Sequence, residues 1–305
     1  MENVMSIPKV KLDFLYPGYE KDFWEKGYCV FRGVFSADEI KEMHEATDRV
    51  KEIGIRHGKN FRHGNLRYWV EPDPVVGMNV RGMQWPAHLE PSLEKMRIDP
   101  RIARILEPLI GGNVRQIINQ IHWKTPGSKM SVNYHIDRQN RLPKKGFRFL
   151  EKSYVQTGLA IDAQTSENGA LKILPGSHLK MGKFTSDDLT NGYKNTNGEV
   201  TNENLVRWGY DWNQLVEVIM EPGDLALWHV DLIHGSDINR SKTMDRCLYI
   251  NGYVDAKNSM LGQWAFINGQ GVPLPPIDVP VLIQLEDIFE NLEPHYPGSK
   301  DKLSD

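Results

Sequence analysis

The spacing of hydrophobic positions changes partway along the chain. Early segments repeat at helical spacing. Ser36-Ala37-Asp38-Glu39 has the form of a capping box, and Ile40, Met43, Ala46 and Val50 follow on one helical face. A helix is predicted there, with Gly54 as its stop. Tyr19 to Lys26 reads as a shorter helix anchored by Phe23 and Trp24 and closed by Gly27, and Tyr28 to Phe31 reads as a short strand. Pro91 to Met96 and Pro100 to Glu107 read as two further helices, the second ended or kinked by Pro108 before Gly111-Gly112. Residues 55–90 are rich in Arg, His, Trp and Gly and show no clean period.

Beyond about residue 113 strand patterns take over. Alternation places Gln116, Ile118, Gln120, His122 and Lys124 on one side of a strand. Further strand-like runs cover Ser131 to Asp137, Tyr154 to Ala163, Ala170 to Leu174, Leu215 to Met220, Asp224 to Val230 and Arg246 to Val254. Helices first and strands afterwards, with turn signals between the strands, predict a mainly β sandwich or barrel with flanking helices and argue against a doubly wound α/β fold. The expected organisation is one domain over 1–305. It has a helical N-terminal part at about 15–112, a β core at about 113–256 and an extension at 257–305 carrying a helix over Val281 to Glu290. Residues 1–14 read as a tail or edge segment. Two inserts interrupt the strands, a basic one from Arg138 to Lys152 and a polar one from Lys180 to Asp211. Each is read either as a binding loop or as solvated surface.

Composition narrows the function. The chain has 305 residues, 40% hydrophobic and 25% charged, and a net charge of -3. No global field draws nucleic acid or an anionic membrane, and no long basic stripe is present. No signal segment or bilayer-spanning run appears. Cys29 and Cys247, each in an apolar run, read as buried free thiols rather than a disulfide framework or zinc site. These features predict a cytoplasmic protein acting without membrane or nucleic acid, its oligomeric state open.

The candidate chemistry lies in Asn133-Tyr134-His135-Ile136-Asp137 and in Trp228-His229-Val230-Asp231-Leu232-Ile233-His234-Gly235-Ser236. Side chains two apart on a strand share a side, so His135 and Asp137 can reach one point in space. A third ligand from elsewhere gives two histidines and one carboxylate, the facial set of non-haem iron oxygenases. Between the two stretches lies Asn168-Gly169-Ala170-Leu171-Lys172-Ile173-Leu174-Pro175-Gly176-Ser177-His178. Pro222-Gly223-Asp224 leads toward His234, and Arg246 follows.

In that order these motifs resemble the phytanoyl-CoA dioxygenase (PhyH) family of Fe(II)/2-oxoglutarate oxygenases, over about residues 20 to 256. The resemblance implies a double-stranded β-helix (jelly roll) with helices at its N-terminal side. It also implies Fe(II), 2-oxoglutarate and O2 as cofactor and cosubstrates, with succinate and CO2 as co-products and a small molecule as substrate. By the same resemblance His135, Asp137 and His234 are the catalytic iron ligands, and Arg246 and Ser236 hold 2-oxoglutarate, with Arg240 as a rival for the arginine. His122 and Lys124 are further candidates to face the cosubstrate. An aspartate at position 137, where related halogenases have Gly or Ala, favours hydroxylation over halogenation. Desaturation, ring formation and demethylation remain alternatives. Arg138, Trp85 and Trp228 are candidate substrate contacts, joined by Arg67-Tyr68-Trp69 and Arg81. His178 and His229 are read as structural. The rival readings are a non-catalytic jelly roll that binds a ligand or partner, and a metal-dependent hydrolase or isomerase that would need neither Arg246 nor Ser236.

Overall fold

The computed structural model describes residues 13–63, 66–141, 144–183 and 200–275. The tail through residue 12, the middle of the polar insert and the helix expected over Val281 to Glu290 lie outside the described residues.

The helices of the N-terminal part are α1 (Tyr19–Lys26), α2 (Ala37–His57), α3 (Pro91–Arg97) and α4 (Pro100–Ile110), and two short ones follow at Leu150–Ser153 and Asn202–Arg207. The capping box forms as expected: Ser36 accepts from the Glu39 N–H while the Glu39 carboxylate takes the Ser36 N–H at 2.8 Å. α2 nevertheless runs through Gly54 and stops at Gly58, which has φ 64°. The role of Gly54 is packing. A Cβ there would lie 2.8 Å from the Tyr68 ring and 3.0 Å from Val80. α4 likewise continues through Pro108 to end at Gly111. Its buried face, with Ile102, Ile105, Leu106 and Leu109, is long enough to hold the last turn in place.

The strands are β1 (Tyr28–Phe31), β2 (Phe61–His63), β3 (Leu66–Asp73), β4 (Gly77–Gln84), β5 (Val114–Lys124), β6 (Val132–His135) and β7 (Tyr154–Ala160). They continue as β8 (Leu171–Ile173), β9 (Val216–Val218), β10 (Leu225–His229), β11 (His234–Ser236), β12 (Arg246–Asp255), β13 (Gln263–Ile267) and β14 (Gln270–Gly271). One sheet runs β1-β10-β7-β12-β5-β4-β3-β2, with β13 added beside β5; the other runs β6-β11-β8-β9. The chain passes back and forth between the two sheets, the winding of a jelly roll.

Alternation along the central strands divides their side chains between two cores. Leu225 and Leu227 of β10, Leu159 of β7, Tyr249 of β12, and Ile121 and Trp123 of β5 pack against the helices. Ala226, Trp228, Ala160, Leu248 and Ile250, one position along, pack between the sheets with Leu171 and Ile173. Strands β7, β10 and β12 are therefore buried on both faces, which explains their nearly continuous apolar sequence.

Two differences from the sequence reading affect the site. Residues 66–84, within the stretch that showed no clean period, form the long hairpin β3–β4, which extends the large sheet beyond β5. The register of β5 on β12 slips between Gly252 and Tyr253, leaving Ile117 as an extra residue. Ile118, Gln120, His122 and Lys124 share a side, whereas Gln116 is turned away. Gln116 bonds with Arg97 and Asn251 on the helical side.

Candidate active site

His135 ends β6 and lies directly across from His234 on β11. Asp137 sits just beyond the strand, in a short turn over Asp137–Asn140. The three side chains offer ligand atoms that all lie within 4.8 Å of one another. The His135 Nε2 is 4.0 Å from Asp137 Oδ1, and the His234 Nε2 is 3.6 Å from Oδ2.

The surroundings fix what these atoms present. His135 Nδ1 donates to the Asn133 carbonyl at 2.7 Å, and His234 Nδ1 to the Leu232 carbonyl at 2.8 Å. Each bond holds the proton on Nδ1 and leaves the Nε2 lone pair pointing at the shared point. Asp137 accepts from Arg141 Nη2 at 2.9 Å through Oδ1 and from the Trp228 indole N–H at 3.0 Å through Oδ2. Arg141 is itself held by the Tyr154 hydroxyl at 3.1 Å and the Gln156 side-chain amide oxygen at 3.1 Å. Burial alone would raise the Asp137 pKa, but Arg141, both histidines and the indole outweigh it and hold the carboxyl at about 2. Burial, then the neighbouring His135, brings His234 down to about 4. Near neutral pH this is one anionic and one neutral imidazole ligand preset beside His135, a donor set suited to iron(II).

A cavity of about 50 Å³ adjoins the three ligands and is walled by His122, Gln156, Trp228, Ser236 and Arg246, with Leu171, Leu248 and Ile250 as apolar lining. Arg246 is buried at 2% exposure, and its Nε has no hydrogen-bond partner. Burial lowers its pKa to about 10, so it stays cationic at neutral pH. A buried, uncompensated guanidinium is costly unless something anionic binds it. Its planar fork matches a carboxylate. The residues therefore fit both groups, a metal at the triad and a dicarboxylate reaching Arg246.

Of the other sequence candidates, the structure brings Lys124, Ser236, His122 and Trp228 to this centre and leaves Arg240, Arg138 and Trp85 out of the cavity lining. Lys124 pairs with Arg246 across β5–β12 and donates to Ser236 Oγ at 2.7 Å and to the Asp237 carbonyl. Burial, then Arg246, depresses the Lys124 pKa to about 6. Lys124 thus holds the Ser236 hydroxyl at the cavity wall. His122 lines the cavity, its pKa pushed to about 3 by burial, Arg246 and Arg81. Arg240 is 59% exposed and lies 3.9 Å from Asp237, away from the cavity lining. Trp228 reaches the site through Asp137. Arg138 does not line it: both ends of its guanidinium clamp Asp231 at 2.6 Å, and it also pairs with Glu151. Trp85 is buried at 3% and packs on His88. Tyr68 is in the helical core. His178 and His229 are packed structural residues, their rings tilted against each other at 4.7 Å, the first bonded to the Trp24 carbonyl and the second to that of Glu151. Gln156 carries no local signal, since only the fold brings it to Arg141, whereas Arg141 lies four residues from Asp137 and reaches it across the short turn.

A jelly roll with two histidines and a carboxylate at its open side, facing a buried arginine, defines a non-haem iron, 2-oxoglutarate-dependent dioxygenase. The sequence profile described as phytanoyl-CoA dioxygenase (PhyH) matches residues 23–247, and the chain belongs to that family. Among relatives, it is 24% identical over 251 residues to a probable alpha-ketoglutarate-dependent hypophosphite dioxygenase of Stutzerimonas stutzeri, covering 79% of each chain. It is 25% identical over 137 residues to dioxygenase lolE1 of Epichloe uncinata, covering 45% of each. The fold is similar to that of EctD from S. alaskensis with 2-oxoglutarate and 5-hydroxyectoine. That match has TM-score 0.64 and 17% identity, over 85% of this chain and 88% of that one.

Proposed function

We propose that the protein hydroxylates an unactivated carbon of a small molecule, using His135, Asp137 and His234 as iron ligands and Arg246 as the partner of the distal carboxylate of 2-oxoglutarate. The observation that carries this reading is the buried Arg246, whose Nε has no partner, in the same small cavity as the three ligand atoms. A hydrolase or isomerase would not require a buried cation there, whereas a 2-oxoglutarate-dependent oxygenase does. When bound, iron supplies the chemistry that couples O2 to decarboxylation of 2-oxoglutarate and oxidation of the substrate.

The protein's own residues supply geometry. The two Nδ1–H bonds aim the imidazoles, while Arg141 and Trp228 fix the carboxylate so that it does not swing between ligating modes. Lys124 orients the Ser236 hydroxyl toward the cosubstrate. Leu171, Leu248 and Ile250 keep that end of the cavity dry, which strengthens the pairing of Arg246 with an anion. Asp137, by occupying a ligand position, supports oxygen insertion over halide transfer. We read about 15–256 as the catalytic unit of a single domain, with 257–305 as its extension. The buried free thiols Cys29 and Cys247 are in keeping with a reducing, cytoplasmic setting. Among the described residues no helix is long and apolar enough to cross a membrane.

The test is calorimetric titration of 2-oxoglutarate into iron-loaded protein under argon. Arg246→Gln should weaken binding by about tenfold or more, the loss expected for a charge-assisted two-point contact. Unchanged affinity in that variant would remove Arg246 from the cosubstrate site.

A further inference from the structure

A second cavity, of about 500 Å³, has His135 in its wall and shares that residue and Val132 with the lining of the small cavity. It lies between the β3–β4 hairpin and the segment leading into β6. Its lining is mostly polar, with Pro72, Pro74, Met130 and Val132 as the apolar members. Of the four charged residues in its lining, Asp73 is buried, Lys129 is exposed, and Arg81 and Glu71 stand together at intermediate burial. Arg81 on β4 and Glu71 on β3 are 3.4 Å apart and each 39% exposed, a loose, wet pair. A second Arg81 nitrogen donates to the Ser131 carbonyl at 3.0 Å, which sets the guanidinium on the same side as the segment entering β6. Arg81 is also near enough to the metal cavity to be among the charges that, after burial and Arg246, suppress protonation of His122.

The cavity's other carboxylate is not available in the same way. Asp73 is buried and saturated by the Ser128 hydroxyl and by the N–H groups of Val75, Val76 and Lys129. Glu71 is thus the carboxylate that can meet a ligand. Three kinds of occupant can be compared. An acyl chain would desolvate both Arg81 and Glu71 without replacing their water. A simple anion at Arg81 would face the Glu71 carboxylate a few ångströms away, and a simple cation at Glu71 would face Arg81. A molecule carrying both signs close together can slip between the two and satisfy each.

We infer that the substrate is a small zwitterion, an amino-acid-like molecule whose carboxylate pairs with Arg81 and whose ammonium pairs with Glu71, placing a carbon of its body toward His135. This rests on the dioxygenase reading above and specifies its substrate class.

The experiment measures succinate formation by the iron-loaded protein with 2-oxoglutarate and a panel of free amino acids and cyclic or N-methylated analogues that keep both charges. Each is compared with its N-acetyl form, its amide and a set of medium-chain acyl thioesters. At least one zwitterion should stimulate turnover, and both of its single-charge derivatives should need about tenfold more for half-maximal effect. Within Glu71→Gln the penalty for N-acetylation should vanish, and within Arg81→Gln the penalty for amidation should vanish. Each ratio is internal to one variant and survives a loss of folded protein. Stimulation by acyl thioesters, equal stimulation by the single-charge derivatives, or stimulation by no zwitterion would overturn the inference. Anaerobic binding of iron and 2-oxoglutarate by the same preparation reports separately on the dioxygenase reading.

Discussion

Single side chains set the chemistry by what they deny as much as by what they offer. Arg141 and Trp228 occupy both oxygens of Asp137, leaving it little freedom to rotate away from the metal position. Arg246 sits in the opposite condition, buried with an unpartnered Nε, and that asymmetry sets it apart from structural cations such as Arg138. Buried histidines outside the centre have a different consequence. Burial depresses His229 to about 4, despite Asp231 beside it, and burial lowers His178 as well. Both are neutral in the folded state and titrate near 6.5 when unfolded. The unfolded chain therefore binds more protons below that value, so their neutral state stabilises the fold fully above pH 6.5. This contribution is lost as pH falls toward 4, on the order of 3 kcal/mol from His229. Urea melts between pH 7 and 4.5 should show the midpoint falling, and His229→Gln should flatten that dependence. A midpoint independent of pH would contradict the assignment of these residues as buried and neutral.

At the scale of elements, close packing decides several features. Gly54 is the clearest case, because helix propensity and packing point in opposite directions. Alanine there would gain about 1 kcal/mol from propensity. Its Cβ would also push into Tyr68 and Val80, both part of the buried core. Overpacking typically costs 1–3 kcal/mol, so Gly54→Ala should lower stability by a net ~1 kcal/mol. A chemical denaturation midpoint that rises would show that the helix and the β3–β4 hairpin yield at this contact.

The same competition explains which elements could be read in the sequence. β7, β10 and β12 are legible as apolar runs because both of their faces are covered, and α2 is announced by its capping box. The hairpin β3–β4 is not, although Leu66, Tyr68 and Val70 do alternate. The opposite face carries Trp69, an aromatic that lies edge-on to His122 at 6.1 Å, so the contrast between faces is blurred. Gln116 was misplaced because a bulge is a tertiary event with no local mark. His135 and Asp137 are marked in the sequence by their H-x-D spacing, although the strand ends at His135 and Asp137 opens the turn beyond it, and His234 and Arg246 stand out only by the order of motifs. Gln156 and the pairing of Glu71 with Arg81 depend on which strands become neighbours, whereas Arg141 meets Asp137 from four residues along the chain.

The whole molecule arranges these parts in order of depth. Helices cover one face of the large sheet and leave the other to the small sheet, where the β6–β11 pair brings the two histidines together. The small cavity holds the arginine end, the triad lies at its boundary, and the larger polar cavity opens beyond His135. A cosubstrate anchored inside and a substrate approaching from outside would meet at the metal. The central claim is that this meeting point performs iron-dependent oxidation coupled to 2-oxoglutarate. The most direct measurement is succinate formed from 2-oxoglutarate in air, with and without added Fe(II), in the wild type and in Asp137→Ala, whose fold is checked by circular dichroism. Iron-dependent succinate is expected in the wild type, reduced at least about 100-fold in the variant, as for loss of a metal ligand. Equal succinate formation by a folded Asp137→Ala protein, or succinate independent of iron, would contradict that claim.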